Sequence, residues 1–544
     1  MRGTAPAAGG SHGDHGGQDG GSRPRCPPRP GVSPPAGRAG GTGASGQERG
    51  DVTVPLSPLP APPAPAMLLR ESPFPNRALV ALDYLARGLL APSFWATNHL
   101  LDLRPTTAER RSRCCSCAGR ALAALVYAAT LLVSLPLTVL GLLLWLPVQA
   151  ARRPFAYQYT AGTAPAEPWD LRQRRAFTFL SANVCLLPSG LAKFSNLGQT
   201  PQRATYIARQ LAPAPAGPGP GPGPVPVPVA LAERFPADTD FVCLQEVFDA
   251  GAATCLRRRL GGTFPHVLSE VGDRGLRCSR LKLLDSGLLL ASRYPLLAAQ
   301  FHGFPNGARE DAMAAKGLLV VQVLLGSARG QRVVGYLGCT HLQAPAGDAA
   351  VRDAQLTLAL HWLQLFQEAQ EQRGDVVAFD VLCGDLNFDN CSRDELNQRH
   401  RLFELYRDPC RRAPGQDEPW AIGGTCPPPP PPRGVTHTER GGHSQPVPVC
   451  VCPLPAGTLL NYLKIYEEPR YLAGPILASG QPDPVAPSPW QGRRVDYLLF
   501  RPPRGAWPGG VLPEVAGVTF VTQLATRSDH LPVALRLDVV PATP

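Results

Sequence analysis

The sequence predicts a layered α/β domain over residues 170–540, preceded by a disordered arm and by apolar membrane segments. Apolar runs with β-branched or aromatic residues recur throughout this part of the chain, as strands do. Between two of them, residues 348–372 place apolar side chains three and four positions apart, which predicts a helix with one apolar face. Strands that alternate with helices are typical of α/β layers. The predicted strands are residues 177–186, 240–244, 287–291, 318–325, 332–339, 376–383, 495–500 and 518–522.

Composition separates the parts of the chain that can pack from those that cannot. Residues 1–66 consist almost wholly of glycine, proline, alanine, serine and arginine, so we expect a disordered arm. Two further proline-rich stretches, 213–228 and 424–457, are predicted to be surface loops of the α/β domain. The formal net charge of +11 favours anionic partners, either nucleic acid or an acidic lipid surface.

Residues 67–155 form the predicted membrane-associated region. Its segment 121–150 contains no charged residue, and about twenty apolar residues suffice to cross a bilayer. Pro136 interrupts the segment, so a single span and a kinked or re-entrant hairpin both stay open. The earlier apolar segment, 78–101, contains two charged residues and is predicted to lie at the membrane interface.

The 15 cysteines occur at irregular spacing, which fits neither a disulfide framework nor a zinc motif. Those inside predicted strands are interpreted as small buried hydrophobic residues of a reducing compartment: Cys185, Cys243, Cys339 and Cys383. A second group lies between the two apolar segments, beside several arginines, and offers candidate S-palmitoylation sites. It consists of Cys114, Cys115 and Cys117, with unmodified thiols as the alternative.

Acidic, amide or imidazole side chains stand at the ends of nearly all predicted strands: Asn183, Glu246, His341, Asp385, Asn387, Asp496, Asp529 and His530. Strands that end along one edge of a sheet gather such groups into one cleft. Hard oxygen ligands with histidine suit a magnesium-assisted hydrolysis of a phosphate ester. In that chemistry Glu246 is the natural metal ligand and His530 the natural base, while Asn183 and Asn387 are neutral donors.

The segments around these residues resemble the deoxyribonuclease I and exonuclease III superfamily, and more narrowly its neutral sphingomyelinase branch. The resemblance is carried by TFLSANVCLLP, DFVCLQEVFD, DSGLLLASRYP, GYLGCTHLQAP, VLCGDLNFDN, GRRVDYLLF and TRSDHLPV. It implies a four-layer α/β/β/α sandwich that cleaves membrane sphingomyelin into ceramide and phosphocholine with Mg²⁺, or with Mn²⁺ as a substitute. It also implies activation by phosphatidylserine or cardiolipin, in a mitochondrial or endoplasmic reticulum membrane ahead of the Golgi or plasma membrane.

The same resemblance implies roles for individual residues. Glu246 is expected to bind Mg²⁺, with Asn183 and Asp385 close to the ion and Asn183 also close to the substrate. His530 is expected to deprotonate the attacking water. Asp496 is expected to orient that imidazole.

Further roles concern the phosphate and the leaving group. Asn387 and His341 are implied to contact them, and Asp529 is implied to lie beside the base. In a loop that the family keeps near the site, Lys316 is expected either to pair with Asp311 or to reach the lipid phosphate. An ordinary exposed charge pair is the alternative.

Two other functions stay open from the sequence. The first is a phosphoesterase of the same superfamily that acts on nucleic acid or inositol phosphates, and the uncharged segment 121–150 argues against it. The second is an inactive membrane scaffold, against which the intact set of polar residues argues. No nucleic acid partner is expected. The stretch 424–457 has no counterpart in the family and leaves open whether this form of the chain is active.

Overall fold

The computed structural model describes most of the chain from residue 69 onward. The described ranges are 69–106, 109, 117–161, 169, 171, 173–212, 230–277, 280–328, 330–393, 395–421, 477, 484–485, 493–502 and 511–541. The predicted arm 1–66, loop 213–228 and loop 424–457 lie outside these residues. Cys114, Cys115 and the side chain of Cys117 lie outside them as well.

Helices and strands alternate along the described part of the chain. The helices are α1 (Arg77–Asp102), α2 (Cys117–Ala150), α3 (Ser189–Ala192), α4 (Thr200–Leu211), α5 (Ala250–Leu260), α6 (Ala349–Gln370) and α7 (Leu402–Leu405). The strands are β1 (Ala156–Tyr159), β2 (Arg175–Asn183), β3 (Ala230–Ala232), β4 (Phe241–Gln245), β5 (His266–Ser269), β6 (Gly275–Arg277), β7 (Arg280–Lys282), β8 (Leu289–Ser292), β9 (Leu296–Gly303), β10 (Gly317–Ala328), β11 (Gln331–His341), β12 (Val376–Asp385), β13 (Arg411–Ala413), β14 (Gln416–Asp417), β15 (Asp496–Phe500), β16 (Val511–Val521) and β17 (Val533–Pro541).

Two sheets form the centre of the domain. An eight-stranded sheet has the order β1-β5-β8-β4-β2-β17-β16-β3, and a five-stranded sheet has the order β15-β12-β11-β10-β9. Their facing sides share one core, to which Phe179 and Leu535 contribute from the first sheet and Leu337 and Val381 from the second. Helices α4 and α5 cover the outer face of the first sheet, and α6 covers that of the second. This arrangement confirms the α/β/β/α sandwich.

Burial on both faces explains why the strands read as apolar runs. All five residues of β4 are buried, and so are the last seven of β2. Strands covered on both sides need no polar alternation. The runs do not predict β9 and β17, because the polar residues Gln300 and His302 interrupt the first and Arg536 and Asp538 the second.

Helix α6 confirms the helix predicted over residues 348–372. Its buried face contains the apolar stripe of the sequence: Leu356, Ala359, Leu363 and Phe366. Helices α4 and α5 are not evident from the apolar pattern. In α4 the buried Ile207 and Leu211 share their face with Thr200 and Arg203, and the buried face of α5 has only Ala252, Leu256 and Leu260.

The strand cysteines are small buried residues, as the sequence indicates. Cys185, Cys243, Cys339 and Cys383 are all buried free thiols. The Sγ atoms of the last three lie within 4.8 Å of one another, between the two sheets. Among the cysteines whose state the structure describes, every one is free.

Helix α2 continues through Pro136, so segment 121–150 is one helix rather than a re-entrant hairpin. Its part Gly119–Ala150 is long and apolar enough to cross a membrane. Proline lacks the N–H that would bond to the carbonyl four residues earlier. Ser134, two residues before Pro136, hydrogen-bonds to Ser93 of α1 at 2.6 Å, which ties the two helices together near this point.

Two charged residues in the middle of α1, Asp83 and Arg87, pair with each other. Asp83 accepts a hydrogen bond from Gln149 of α2 at 2.6 Å and pairs with Arg87 at 2.6 Å. Asp83 is buried. Buried charges persist when they are paired and hydrogen-bonded, and Asp83 is both, through Arg87 and through Gln149 of α2.

Candidate active site

Strand register gathers the predicted residues at one edge of the sandwich. His341 ends β11 and Asp385 ends β12, and these two residues are partners in the parallel pairing. Asp496 begins β15 and is the antiparallel partner of Asp385. In the other sheet β2 and β4 run parallel and end together, at Asn183 and at the residue before Glu246.

Asn183 joins the two sheets at this edge. Its Nδ2 atom donates to Glu246 Oε1 at 3.0 Å and to Asp385 Oδ2 at 2.9 Å. Its Oδ1 atom accepts from the backbone N–H of Cys185 at 3.1 Å. Since both ends of the amide are used, its orientation is fixed, and it sets the spacing of the two carboxylates.

Unusual backbone conformations accompany the site. Glu246 and Asn387 have φ angles of 60° and 55°, in the left-handed region that side chains other than glycine rarely adopt. Gly384 has a φ of 143°, and a Cβ atom there would lie 1.9 Å from the carbonyl oxygen of Thr340. Such strain persists where surrounding contacts enforce it, and it is concentrated at functional sites. The glycine of the CGDLN motif is therefore required by the close approach of β11 at the end of β12, where Asp385 is presented.

Negative charge is concentrated around Glu246. Burial and the neighbouring Asp529 raise the pKa of Glu246 to about 7, against the lowering effect of the Asn183 hydrogen bond. Asp529 is buried, and its Oδ1 atom has no hydrogen-bond partner among the described residues. The Glu246 side chain keeps 21% of its surface exposed, which leaves it open to a ligand. The positive charges of His530 and Lys316 lower the pKa of Glu246, but by less than burial and Asp529 raise it.

His530 is held by Asp496. Nδ1 of His530 lies 2.7 Å from Asp496 Oδ2, while its Nε2 lies 3.8 Å from Asp385 Oδ2. Burial opposes the charged imidazole, but Asp496 and Asp385 together raise the pKa of His530 well above its usual value. Because a carboxylate on Nδ1 favours the proton on that nitrogen, Nε2 is the atom free to accept one.

Lys316 lies buried behind the site. Its Nζ contacts Asp311 Oδ1 at 3.0 Å, the carbonyl of Leu342 at 2.9 Å and His341 Nε2 at 3.1 Å. The structure thus pairs Lys316 with Asp311, and the pair is not an exposed one. Burial, Lys316 and the neighbouring His530 lower the pKa of His341 well below its usual value, so His341 is neutral.

Asn387 completes the group. Its backbone N–H donates to Asp385 Oδ1 at 2.9 Å, and its Nδ2 donates to the carbonyl of Leu342 at 3.1 Å. The same carbonyl accepts from Lys316. The structure therefore brings together all ten polar residues that the sequence and the resemblance single out.

Two supporting residues escape the motif analysis. Ser528 donates to the carbonyl of Asn183 at 2.7 Å and accepts from the N–H of His530 at 3.2 Å, which fixes the His530 loop to β2. Arg203 of α4 bonds to the carbonyls of Cys185 and Arg527 at 2.8 and 2.9 Å. The position of Ser528 next to Asp529 and His530 is a sequence signal for its supporting role. Nothing in the sequence around Arg203 indicates such a role.

A buried ion network supports the strand that carries Asp496. Arg494 contacts Asp408 Oδ2 at 2.8 Å and Asp417 Oδ2 at 2.8 Å, and all three side chains are almost wholly buried. Arg494 also lies over the Tyr497 ring, 4.4 Å from its centroid. The sequence offers no signal for this network, because its members lie far apart along the chain.

Arg494→Met is expected to lower the free energy of unfolding by about 3–5 kcal/mol, because it leaves two buried carboxylates without a counter-charge. Denaturant unfolding measures this loss. Arg412→Ala is the matched control, since Arg412 pairs with Glu418 at 2.9 Å but is 55% exposed. A loss of less than about 1 kcal/mol is expected there. Equal losses in the two variants would contradict a supporting role for the buried network.

The described residues contain donor sets that fit a metal ion. Glu246, His341 and Asp385 offer ligand atoms within 4.8 Å of one another, and so do Asp385, Asp496 and His530. Asp385 belongs to both sets. A divalent cation prefers carboxylate oxygens and would add positive charge beside Glu246 and Asp529.

The fold and this site define a class of protein. Residues 180–530 match the Endonuclease/Exonuclease/phosphatase family, and the chain belongs to that family. Residues 78–151 match the neutral sphingomyelinase N-terminal transmembrane region, which covers α1 and α2.

Within the family, the chain is similar to sphingomyelin phosphodiesterases. It is 40% identical to sphingomyelin phosphodiesterase 5 of Mus musculus over 514 residues, which cover 90% of this chain and 99% of the relative. It is 31% identical to sphingomyelin phosphodiesterase 3 of Homo sapiens over an alignment of 667 positions. This alignment covers 87% of this chain and 99% of the relative. The solved structure of sphingomyelinase C from Streptomyces griseocarneus aligns with a TM-score of 0.39 and 19% identity, over 66% of this chain and 99% of that one.

Proposed function

We propose that the chain hydrolyses sphingomyelin in a membrane to ceramide and phosphocholine, with Mg²⁺ as the metal. The observation that carries the proposal is the cluster of Glu246, Asp385, Asp496 and His530 on a chain whose helix α2 is apolar enough to cross a bilayer. The names of the relatives supply the substrate. An active site attached to a membrane helix is closer to the phosphodiesters of membrane lipids than to those of soluble molecules.

The residues present fit a magnesium ion. Glu246 and Asp385 would hold it, because both are oxygen donors at the site, and because burial and the neighbouring Asp529 disfavour an ionised Glu246 that has no cation beside it. Asp529, whose Oδ1 has no partner among the described residues, would gain one. When bound, the ion would supply positive charge to the phosphoryl oxygens.

Protein side chains perform the proton transfer in this proposal. His530 accepts the proton of the attacking water at Nε2, and Asp496 holds the opposite nitrogen and stabilises the imidazolium that forms. Asn387, whose Nδ2 donates one hydrogen to the carbonyl of Leu342, would donate the other to the phosphate. Asn183, whose Nδ2 donates to Glu246 and Asp385, would orient these two carboxylates. His341 is neutral and would add a contact to the phosphate or leaving group. Lys316 positions His341 through their contact at 3.1 Å.

Asp496→Asn is expected to lower the pKa of His530, because Asp496 makes the largest contribution that raises it. His530 acts as a base only when neutral, so the acidic limb of the kcat/KM profile should move to lower pH. The maximal rate should fall by about a hundredfold or more, since the imidazole loses its orienting acceptor. An acidic limb at an unchanged pH would contradict the assignment of His530 as the titrating base.

The membrane setting follows from the same features. Anionic phospholipids such as phosphatidylserine or cardiolipin are proposed activators, since the chain carries a net charge of +11. A mitochondrial or endoplasmic reticulum membrane is the proposed location, as the family resemblance of the sequence implies.

Substrate comparison tests the proposed function. The purified full-length chain, reconstituted with Mg²⁺ in vesicles of sphingomyelin and phosphatidylserine, is expected to release phosphocholine. The same protein should neither nick plasmid DNA nor release phosphate from inositol phosphates. Hydrolysis of DNA or inositol phosphates in place of sphingomyelin would assign another activity of the family. Hydrolysis of none of them would favour the inactive scaffold.

A further inference from the structure

The hairpin formed by β6 and β7 presents leucines on its outer face. Leu276 and Leu281 are partners in the antiparallel register, so they lie side by side, and they are 59% and 44% exposed. Leu283 is 46% exposed and its N–H donates to the carbonyl of Met313 at 2.8 Å; Met313 is itself 47% exposed. We refer to Leu276, Leu281, Leu283 and Met313 as the apolar lip.

The opposite face of β7 is charged and directed toward the protein. Lys282 donates to the carbonyls of Ala312 and Ala314 at 2.8 Å each. Arg280 donates to the carbonyl of Gly307. A hairpin in water ordinarily buries its apolar face and exposes its charges. Here Leu276 and Leu281 are exposed while Lys282 is partly buried, although Arg280 stays exposed. The exposed leucines indicate that the outer face meets an apolar medium.

The lip lies beside the end of the membrane helix. A Cβ atom on Gly275, the first residue of β6, would lie 2.8 Å from Cβ of Gln149 in α2. Leu143, six residues earlier in α2 and therefore about 9 Å along its axis, is 67% exposed on the apolar surface of that helix. Arg152, just beyond α2, donates to the carbonyl of Glu270 at 2.7 Å and holds the segment before the hairpin. The lip thus continues the apolar surface of α2.

The lip also borders the candidate active site. After β7 the chain reaches Gly287, whose carbonyl accepts from the N–H of Val247, the residue after Glu246, at 2.8 Å. On the other side, Met313 ends the turn that contains Asp311, the partner of Lys316. The lip is therefore connected along the chain to two segments of the site. One contacts the residue after Glu246, and the other contains the partner of Lys316.

We propose that the apolar lip inserts into the lipid surface next to α2 and holds the active site at the level of the headgroups. A bilayer is the occupant because the lip is continuous with the apolar surface of α2, the helix that can cross it. The inference rests on the proposed function, since an active site at the level of the headgroups is useful only for a membrane substrate. Interfacial segments of this kind bury apolar side chains among headgroups and acyl chains.

Tryptophan quenching tests the position of the lip. In full-length Leu276→Trp reconstituted with brominated phosphatidylcholine, the emission added relative to the unsubstituted chain should be quenched. Leu512→Trp is the matched control, because Leu512 is 45% exposed on β16, in a different sheet. Its added emission should persist. If the added emission of Leu276→Trp persists in brominated lipid as that of Leu512→Trp does, the proposal is overturned. This outcome does not depend on whether the chain is active.

Activity gives an independent reading. The double variant Leu276→Ser with Leu281→Ser should hydrolyse vesicle sphingomyelin about tenfold more slowly, since two leucines no longer enter the lipid. Its rate on a monomeric short-chain sphingomyelin should match that of the unsubstituted chain. Equal rate losses on both substrates would indicate a structural role and overturn the proposal. If the unsubstituted chain hydrolyses neither substrate, the proposed function fails while the quenching result still decides the position of the lip.

Discussion

Glu246→Gln is expected to lower phosphocholine release from sphingomyelin vesicles by about a thousandfold. Glutamine keeps the shape of the side chain and an oxygen that can accept from Asn183, but it removes the charge that would hold the metal. Loss of a bound ion costs several kcal/mol of transition-state stabilisation, and each 1.4 kcal/mol is about a factor of ten. The rate at saturating Mg²⁺ measures the effect. Glu418→Gln, at an exposed ion pair, is the control and should retain full activity.

Thermal unfolding separates this metal role from a structural one. The pKa of Glu246 is raised to about 7, so its ionised form destabilises the folded metal-free protein as the pH rises above the unfolded value. Removing the charge should therefore leave the metal-free midpoint unchanged or raise it. Mg²⁺ should raise the midpoint of the unsubstituted chain but not that of the variant. A variant that unfolds at lower temperature without metal, yet still responds to Mg²⁺, would contradict the assignment.

His530→Ala is expected to lower kcat by about a thousandfold or more with little change in KM. A positioned general base contributes about 10²–10⁴ to the rate. Asp496 would also lose its partner at 2.7 Å. Steady-state rates on sphingomyelin vesicles measure the effect. Membrane association and the Mg²⁺-dependent midpoint should be retained, because neither depends on the imidazole.

Two controls make the His530 result specific. His361→Ala changes a partly buried histidine of α6 that lies outside the candidate site, and it should keep its rate. Added imidazole should restore part of the activity of His530→Ala but should not affect Glu246→Gln. A His530→Ala rate within tenfold of the unsubstituted chain would remove His530 from the mechanism.

Much of the fold follows from the sequence because the central strands are buried on both faces. Runs such as those of β4 and β12 have no other reasonable interpretation once they alternate with the apolar stripe of α6. The polar residues that follow these runs also predict the edge at which the site forms. Strands with interleaved polar residues, such as β9 and β17, are not evident from apolar runs. The short strands of the β6–β7 hairpin have too few residues to show a period.

Contacts between distant segments could not be predicted in the same way. The amide of Asn183 bridges Glu246 and Asp385, and this depends on how the two sheets pack. The burial of Lys316 against His341 depends on the pairing of β10 with β11 and on the turn that contains Asp311. The sequence predicts the residue types and their strand ends, but the distances arise from packing.

Metal dependence is the most direct test of the central claim, that carboxylates of both sheets hold a divalent ion beside His530. Phosphocholine release by the reconstituted full-length chain is measured after treatment with EDTA and during titration with Mg²⁺. Release should stop on chelation and return as Mg²⁺ is added, with no return in Glu246→Gln. Chelated protein that continues to hydrolyse sphingomyelin at its full rate would contradict the claim.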